Sequence, residues 1–460
     1  MWQTAYFSRS PDDQQGDNVE AINAGDTAWV LISGALVMLM TPGLALFYGG
    51  MVRAKSALNM LMMSFTALGI VTIVWITIGY TLAFGTDTSG GLIGDLRQIG
   101  LVDTLDQTVG APGHKIPMLA FVMFQLTFAV VTTALLSGAI ADRTKFSAWI
   151  VFVIAWSLLV YVPAAHWAFS FDGGQGGWIG DRLGALDFAG GTAVEINSGA
   201  SALALALVVG KRIGFRKDPM RPHNLPLVLL GAGLLWFGWL GFNAGSALAA
   251  NGTAAVAMIN TQIAAATGAL AWILYEKVKD GKATTLGIAS GAVAGAVAIT
   301  PACGFVTPLG ALVIGLLAGV ICAWAVSQKY RLGFDDSLDV VGVHGVGGFV
   351  GMIAIGLFAA VIANPAGANG LFYGGGFGLL GKQLIASIAM AVFAFVATWI
   401  IATVITKTMG FRADPEDEIA GLDTTQHAES AYDLAGVAGG GLVGGSHPLS
   451  ALRRHQDEEN

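Results

Sequence analysis

Residues 222–275 read PHNLPLVLLGAGLLWFGWLGFNAGSALAANGTAAVAMINTQIAAATGALAWILY, 54 consecutive positions without Asp, Glu, Lys or Arg. One membrane crossing takes about 20 apolar residues to traverse roughly 30 Å of hydrocarbon, so this run predicts two spans. The rest of the chain repeats the pattern. Uncharged runs cover 27–52, 56–86, 116–141 and 146–171 before it, and 283–328, 340–381 and 383–406 after it. The 46-residue run 283–328 predicts two more spans. Run 340–381 holds one, because from Asn364 it breaks into an Asn/Pro/Gly-rich loop. Phe188 to Gly210 reads as a further span interrupted only by Glu195. The resulting fold class is an all-α polytopic membrane protein with eleven transmembrane helices.

Composition agrees. Of 460 residues only 12% are charged and 55% are hydrophobic, where a soluble domain would carry about a quarter charged residues to cover its surface. Mean hydropathy is +0.68. Those values exclude a soluble globular domain, a disordered chain and a collagen, and two cysteines, Cys303 and Cys322, build neither a disulfide scaffold nor a ligand pattern. Residues 1–26 form a polar lead-in with five acids and no apolar core, unlike a signal peptide.

Lys and Arg set the orientation. Of 23 basic residues, 18 fall on the side carrying the odd-numbered loops and the C-terminus, and only Arg9, Arg97, Lys115, Arg182 and Lys382 fall on the other. The expected topology is N-terminus out and C-terminus in. The expected organisation is a polar extracytoplasmic segment 1–26, an eleven-helix domain 27–407, a cytoplasmic segment 408–433 with turn chemistry at Asp414-Pro415, and a flexible tail 434–460.

Two echoes relate the first five spans to the next five. Phe47-Tyr48-Gly49-Gly50 ends the first span and Phe242-Asn243-Ala244-Gly245 ends the sixth. Asp187 precedes Glu195 by eight residues at the start of the fifth span, and Asp336 precedes His344 by eight at the start of the tenth. Five helices per half invert the second copy across the membrane plane. Eight helical residues rise about 12 Å, so the two polar side chains approach the midplane from opposite faces. The small residues around them, Gly191, Thr192, Ser198 and Gly199 on one helix and Gly347 and Gly348 on the other, suit either close packing or a narrow conduit.

Glu195 is the one acid inside a predicted span, where a carboxylate is costly unless protonated, paired or wet. It reads as a pathway residue in preference to a buried staple, and His344 opposite it reads the same way. Two such residues are too few for a metal site, and no hydrolase, phosphate-cradling or zinc-protease motif is present, so neither an enzyme nor a cofactor is expected. His166 reads as an interfacial belt residue beside Trp167, His223 as solvated, and Met38, Met40, Met51, Met60, Met62 and Met63 as packing between the first two helices. By pattern alone Phe124, Phe128, Phe169 and Phe242 are packing or lipid-facing aromatics.

The segments GLALFYGGMVRAK (43–55), FAGGTAVEIN (188–197), GKRIGFRKD (210–218) followed by PHNLP (222–226), GFNAGS (241–246), TPACGF (300–305), DVVGVHGVGG (339–348) and EDEIAGLDTTQHAESAYD (416–433) resemble the ammonium transporter family (Amt/Mep/Rh), and its Amt branch in particular. They run in order from about residue 27 to 433. The resemblance implies eleven helices with an inverted 5+5 repeat, a homotrimer with one pore per subunit in the cell membrane, and ammonium as substrate. It implies an external site at Phe128, Phe169 and Ser246, where Phe169 stands in place of the family's Trp, with Asp187 in support. It further implies a gate of Phe128 and Phe242, a pore-lining Trp239, and a twin-histidine pair at Glu195 and His344. Glu195 departs from that pattern, as in some fungal permeases.

The resemblance also implies electrogenic uptake, in which ammonium gives up a proton at the pore mouth and the Glu195/His344 pair relays it. Passage of intact ammonium, an ammonium sensor and a neutral gas channel are the competing readings. The segment 408–433 would dock a PII-type regulator. Nucleic acid and metal are not expected partners.

Overall fold

The computed structural model describes residues 21–432. Most of the polar lead-in and the tail expected to be flexible lie outside the described residues. Eleven helices make the body: α1 Ala24–Met51, α2 Ala54–Phe84, α3 Met118–Ile140, α4 Phe146–Phe169, α5 Gly191–Val209, α6 Leu225–Gly245, α7 Gly252–Asp280, α8 Thr285–Ile299, α9 Pro308–Leu332, α10 Val341–Phe358 and α11 Gly378–Thr408. Ten of them are long and apolar enough to cross a membrane. The other, α8, has 15 residues and rises about 22 Å. Beyond α8 the chain turns through Thr300–Val306, and buried Asn260 of α7 pins that turn by donating to the carbonyls of Cys303 (2.8 Å) and Val306 (2.7 Å).

Local sequence explains where the helices begin and stop. Asn23, Asn224, Asn251, Thr284 and Thr307 each accept the backbone N–H three residues on, capping α1, α6, α7, α8 and α9. Gly281 and Gly333 end α7 and α9 in the left-handed conformation that costs glycine nothing. The 340–381 run splits as expected, with α10 ending at Phe358 before a loop. A small hairpin, β1 Thr108–Val109 and β2 Ile116–Pro117, folds the α2–α3 connection.

Small residues set the helix packing. α1 lies along α6, α7 lies against α8 and α9, and α5 lies along α11. A Cβ added to Gly231 would stand 2.6 Å from Phe47 Cα, and one on Gly268 would stand 2.8 Å from Gly295 Cα, so those helices meet backbone to backbone.

On the face that carries the basic loops, buried ions are paired. Arg143, fully buried, donates to the carbonyls of Ala139, Ala141, Gly210 and Asp335 and to Ser337 Oγ. Arg212 grips Asp335 with two guanidinium nitrogens at 2.9 and 2.8 Å. Burial pushes the Asp335 carboxyl up, but the Arg212 hydrogen bonds and the charges of Arg143 and Arg212 prevail and hold it below the ordinary carboxylate value.

The segment after α11 closes onto this face. Asp414-Pro415 opens a helix, α12 Pro415–Ala420, with Pro415 in its first turn; α13 Leu422–His427 comes next. Asp423 accepts from Leu58 N (3.0 Å) and Asn59 N (2.8 Å), and Glu418 accepts from Ile213 N (2.6 Å) and Arg412 Nη2 (2.7 Å).

Three residue assignments differ from the sequence expectation. His166 is not an interfacial belt residue: it is fully buried, with Nδ1 2.8 Å from Ala83 O and Nε2 3.2 Å from Asp87 Oδ1, and it ties α4 to the end of α2. His223 is held between Val52 O (2.8 Å) and Tyr432 Oη (2.9 Å), so it is engaged and not simply solvated. Met62 is exposed on α2, while Met40, Met51, Met60 and Met63 are buried.

α5 and α10 cross where Gly199 meets Gly345, and a Cβ on Gly199 would clash with the Gly345 backbone at Cα and N. Gly199→Ala is expected to destabilise by about 1–3 kcal/mol by overpacking. Thermal unfolding in detergent should show a midpoint lowered by several degrees, whereas Gly69→Ala, whose Cβ meets nothing, should leave it unchanged.

Candidate functional site

Two cavities stand in line through the helix bundle. The first, about 110 Å³, opens at the end of the molecule opposite the basic loops and is lined by Phe121, Phe124, Gln125, Phe128, Phe169 and Ser246, with Asp187 at its wall. The second, about 20 Å³, is enclosed by residues including Phe47, Val194, Glu195, Trp239, Phe242 and His344. One or two water-sized molecules fit that volume. Between the cavities the rings of Phe128 and Phe242 overlap, centroids 4.1 Å apart and planes inclined by 35°. Phe124 braces Phe128 edge-on at 4.9 Å.

The residues named from sequence thus divide into two groups. Phe128, Phe169, Ser246 and Asp187 share the outer cavity; Glu195, His344, Trp239 and Phe242 share the inner one. Phe124, Phe128 and Phe242 are buried and line cavities, which corrects their reading as ordinary packing or lipid-facing aromatics. Trp167, two residues before Phe169, is not among the residues lining the outer cavity: it packs on Trp178 and Phe393 and donates to Leu92 O.

Each polar group is held by its own surroundings. Ser246 caps the end of α6 and donates to Phe242 O at 2.8 Å, which leaves the hydroxyl oxygen's lone pairs as acceptors at the cavity. Asp187 accepts from the amides of Gly190 (2.9 Å), Gly191 (2.7 Å) and Thr192 (2.7 Å) and from Thr192 Oγ1 (2.5 Å), so its oxygens are committed to starting α5. Burial nevertheless pushes its carboxyl above the ordinary value against those four donors. Trp239 is fixed by a bond from Nε1 to Thr300 Oγ1 at 2.8 Å.

At the second cavity His344 Nδ1 lies 2.7 Å from Glu195 Oε2, and both residues are buried. Each sits in a π-helical turn, Gly191–Ile196 opening α5 and Val341–Gly345 opening α10. Such turns are scarce and concentrate at functional sites. A Cβ on Gly348 would stand 2.8 Å from Glu195 Cβ. The glycines therefore serve close packing on one side of the pair, and the cavity lies against Trp239 and Phe242.

Phe47, Phe121, Gln125, Val131 and Leu135 also line the path. The sequence reading assigned them no role, because an apolar side chain facing a 20 Å³ void carries the same pattern as one facing a neighbour. Gln125 offered a signal, as an amide in an otherwise apolar span. Among the described residues no group of three or more His, Cys, Asp or Glu is placed to hold a metal ion.

The Ammonium Transporter Family model matches residues 28–432. The ammonium transporter of Mycobacterium tuberculosis (strain H37Rv) is 53% identical over 442 residues, 92% of each chain, and that of Bacillus subtilis (strain 168) is 50% identical over 411 residues, 89% of this chain and 98% of its own. Among solved structures, Saccharomyces cerevisiae Mep2 superposes with a TM-score of 0.79 at 34% identity, covering 87% of this chain and 89% of its own. A sensor Amt protein superposes at 0.80 with 29% identity over 88% and 98%. With a family model spanning nearly all described residues and relatives at half identity over nearly the whole length, the chain belongs to the ammonium transporter family.

Proposed function

We propose that this chain, a multi-pass membrane transporter of ammonium and not an enzyme, moves ammonium by removing its proton at an outer aromatic site and relaying that proton through Glu195 and His344. The observation that supports the mechanism is the overlap of the Phe128 and Phe242 rings between an outer aromatic cavity of about 110 Å³ and an inner one of about 20 Å³ lined by the buried pair. Ammonium settles in the outer cavity, where the faces of Phe128 and Phe169 attract a cation losing water and Ser246 accepts a hydrogen bond. Asp187 keeps the site rigid and its field negative.

An intact ion would enter the second cavity without enough partners to replace its hydration shell, a cost that burial of any unpaired charge incurs. Ammonia avoids that cost, and potassium cannot, so selectivity follows from proton loss. Glu195 gives the pair a particular advantage. With Glu195 ionised and His344 neutral the pair carries −1, and one proton taken from ammonium brings it to zero. A histidine pair would begin at zero and end at +1. Net charge crosses with each ammonium, and the membrane potential drives uptake.

The same reading extends to architecture. α8 is the eleventh crossing, shortened because the Thr300–Val306 turn completes its depth. The paired π-turns, each preceded by an aspartate eight residues from its functional side chain, support the inverted 5+5 repeat, and the basic loops support an N-out/C-in orientation. We assign the chain to the Amt branch, with Glu195 in place of the first pore histidine, as a homotrimer in the cell membrane. The docked segment 408–433, with the polar residues of α12 and α13, suits a PII-type partner at the inner face. The 1–26, 27–407, 408–433 and 434–460 division stands with this reading.

Ammonium-evoked current in proteoliposomes across pH tests the relay. Glu195→Ala should lower current at least tenfold, and Glu195→His should keep current with a changed pH profile. Full current and unchanged selectivity over potassium in Glu195→Ala would sink the mechanism, and a wild type that binds ammonium without flux or current would be a sensor or, with uptake but no current, a gas channel. At the mouth, Phe169→Trp should lower the half-saturating ammonium concentration about two- to fivefold, the equivalent of about 0.5–1 kcal/mol of added cation–π attraction.

A further inference from the structure

Resting on the relay reading above, we infer that Asp336 is the proton acceptor on the inner side of the Glu195/His344 pair, the group through which the relayed proton leaves the pore.

Asp187 and Asp336 hold matching positions, eight residues before Glu195 and His344 and ahead of the two π-turns. Their bonding differs. Asp187 has four donors on its two oxygens. Asp336 accepts Val341 N on Oδ2 at 2.7 Å, with the Val340 amide also directed at the carboxylate, while Oδ1, in a residue only 1% exposed, has no hydrogen-bond partner within ordinary distance. A buried carboxylate oxygen without a donor is costly, and a proton on it removes the cost. Asp142 and Asp181 also keep a buried Oδ1 without a donor, and what sets Asp336 apart is its place eight residues before His344.

The backbone around Asp336 is held between the Tyr48 side of the bundle and the Lys329 groove. On the pore side, Leu338 N donates to Gly138 O, and the ring of Tyr48 rests on Gly138; the Tyr48 hydroxyl stands within electrostatic reach of both Glu195 and Asp336. On the other side Lys329 Nζ donates to Asp336 O at 2.8 Å and pairs with Asp339. Lys329 and Asp339 wall a groove of about 220 Å³ shared with Glu276, Lys279 and Asp280. The charged or titratable groups that face Asp336 are thus Tyr48, Lys329 and Asp339.

Burial pushes the Asp336 carboxyl up to about 6, with the Lys329 charge opposing and the Asp339 charge assisting. That range suits a group that loads and unloads near neutral pH. The step balances. The Glu195/His344 pair loses the proton it took from ammonium, water entering between the pair and Asp336 carries it, the Asp336 carboxylate gains it as the acid, and the internal solution receives it beside Lys329 and Asp339.

The test reconstitutes the full-length protein in liposomes and records ammonium-evoked current while internal pH is stepped from neutral to acid. Wild-type current should fall as internal pH passes below about 6, because a protonated Asp336 cannot accept. Asp336→Asn keeps an acceptor for Val341 N but removes titration; current should fall at least tenfold with the half-saturating ammonium concentration unchanged. Asp336→Glu should restore current and move the internal-pH midpoint. Wild-type current and pH profile in Asp336→Asn, alongside lost current in Glu195→Ala, would overturn the inference while leaving the relay intact. Full current in Glu195→Ala would overturn the relay and this inference with it. Should Asp336→Asn fail to fold, an unmoved midpoint in Asp336→Glu also overturns it.

Discussion

An ion inside a low-dielectric bundle must be paired, hydrogen-bonded or neutral, and the organisation of this molecule follows from that constraint. Arg143 meets it with bonds to four carbonyls and a serine. Arg212 and Asp335 meet it by bidentate pairing. Glu195 and His344 meet it with a single 2.7 Å contact, which leaves the state of the pair free to change by one proton.

Backbone geometry delivers that contact. Glu195 and His344 are on different helices 149 residues apart in sequence, and their approach depends on Gly199 meeting Gly345 and Gly348 meeting Glu195. The π-turns add a residue to the turn just where each side chain leaves the helix, and so swing it out of the regular helical face toward the cavity. Substituting the side chains alone on two regular helices would not reproduce the pair.

Much of this was legible in the sequence because scarcity makes charge visible. The uncharged runs anticipated the helices of the body apart from α5, and in α5 one acid between Phe188 and Gly210 stood out before any resemblance was considered. Spacing then paired Glu195 with His344. The gate was legible only through the resemblance: stacking of Phe128 on Phe242 depends on the crossing of α3 and α6, which no periodicity encodes. His166 was misread for a related reason. Its neighbour Trp167 and its place at a helix end signal an interface, but its acceptors, Ala83 O and Asp87, come from the end of α2, 79 to 83 residues away. The orphaned oxygen of Asp336 was likewise invisible, since a sequence gives positions of carboxylates and says nothing of their donors.

The order of events in the pore follows from the two cavities. Phe128 and Phe242 at 4.1 Å leave no aperture, so in the proposed mechanism a ring moves at each passage. On that mechanism the cation–π attraction that gathers ammonium outside also holds the charged form there, and loss of the proton releases it. The outer aromatics and the inner ionisable pair would then act as one device, the first retaining the charged form and the second accepting the proton.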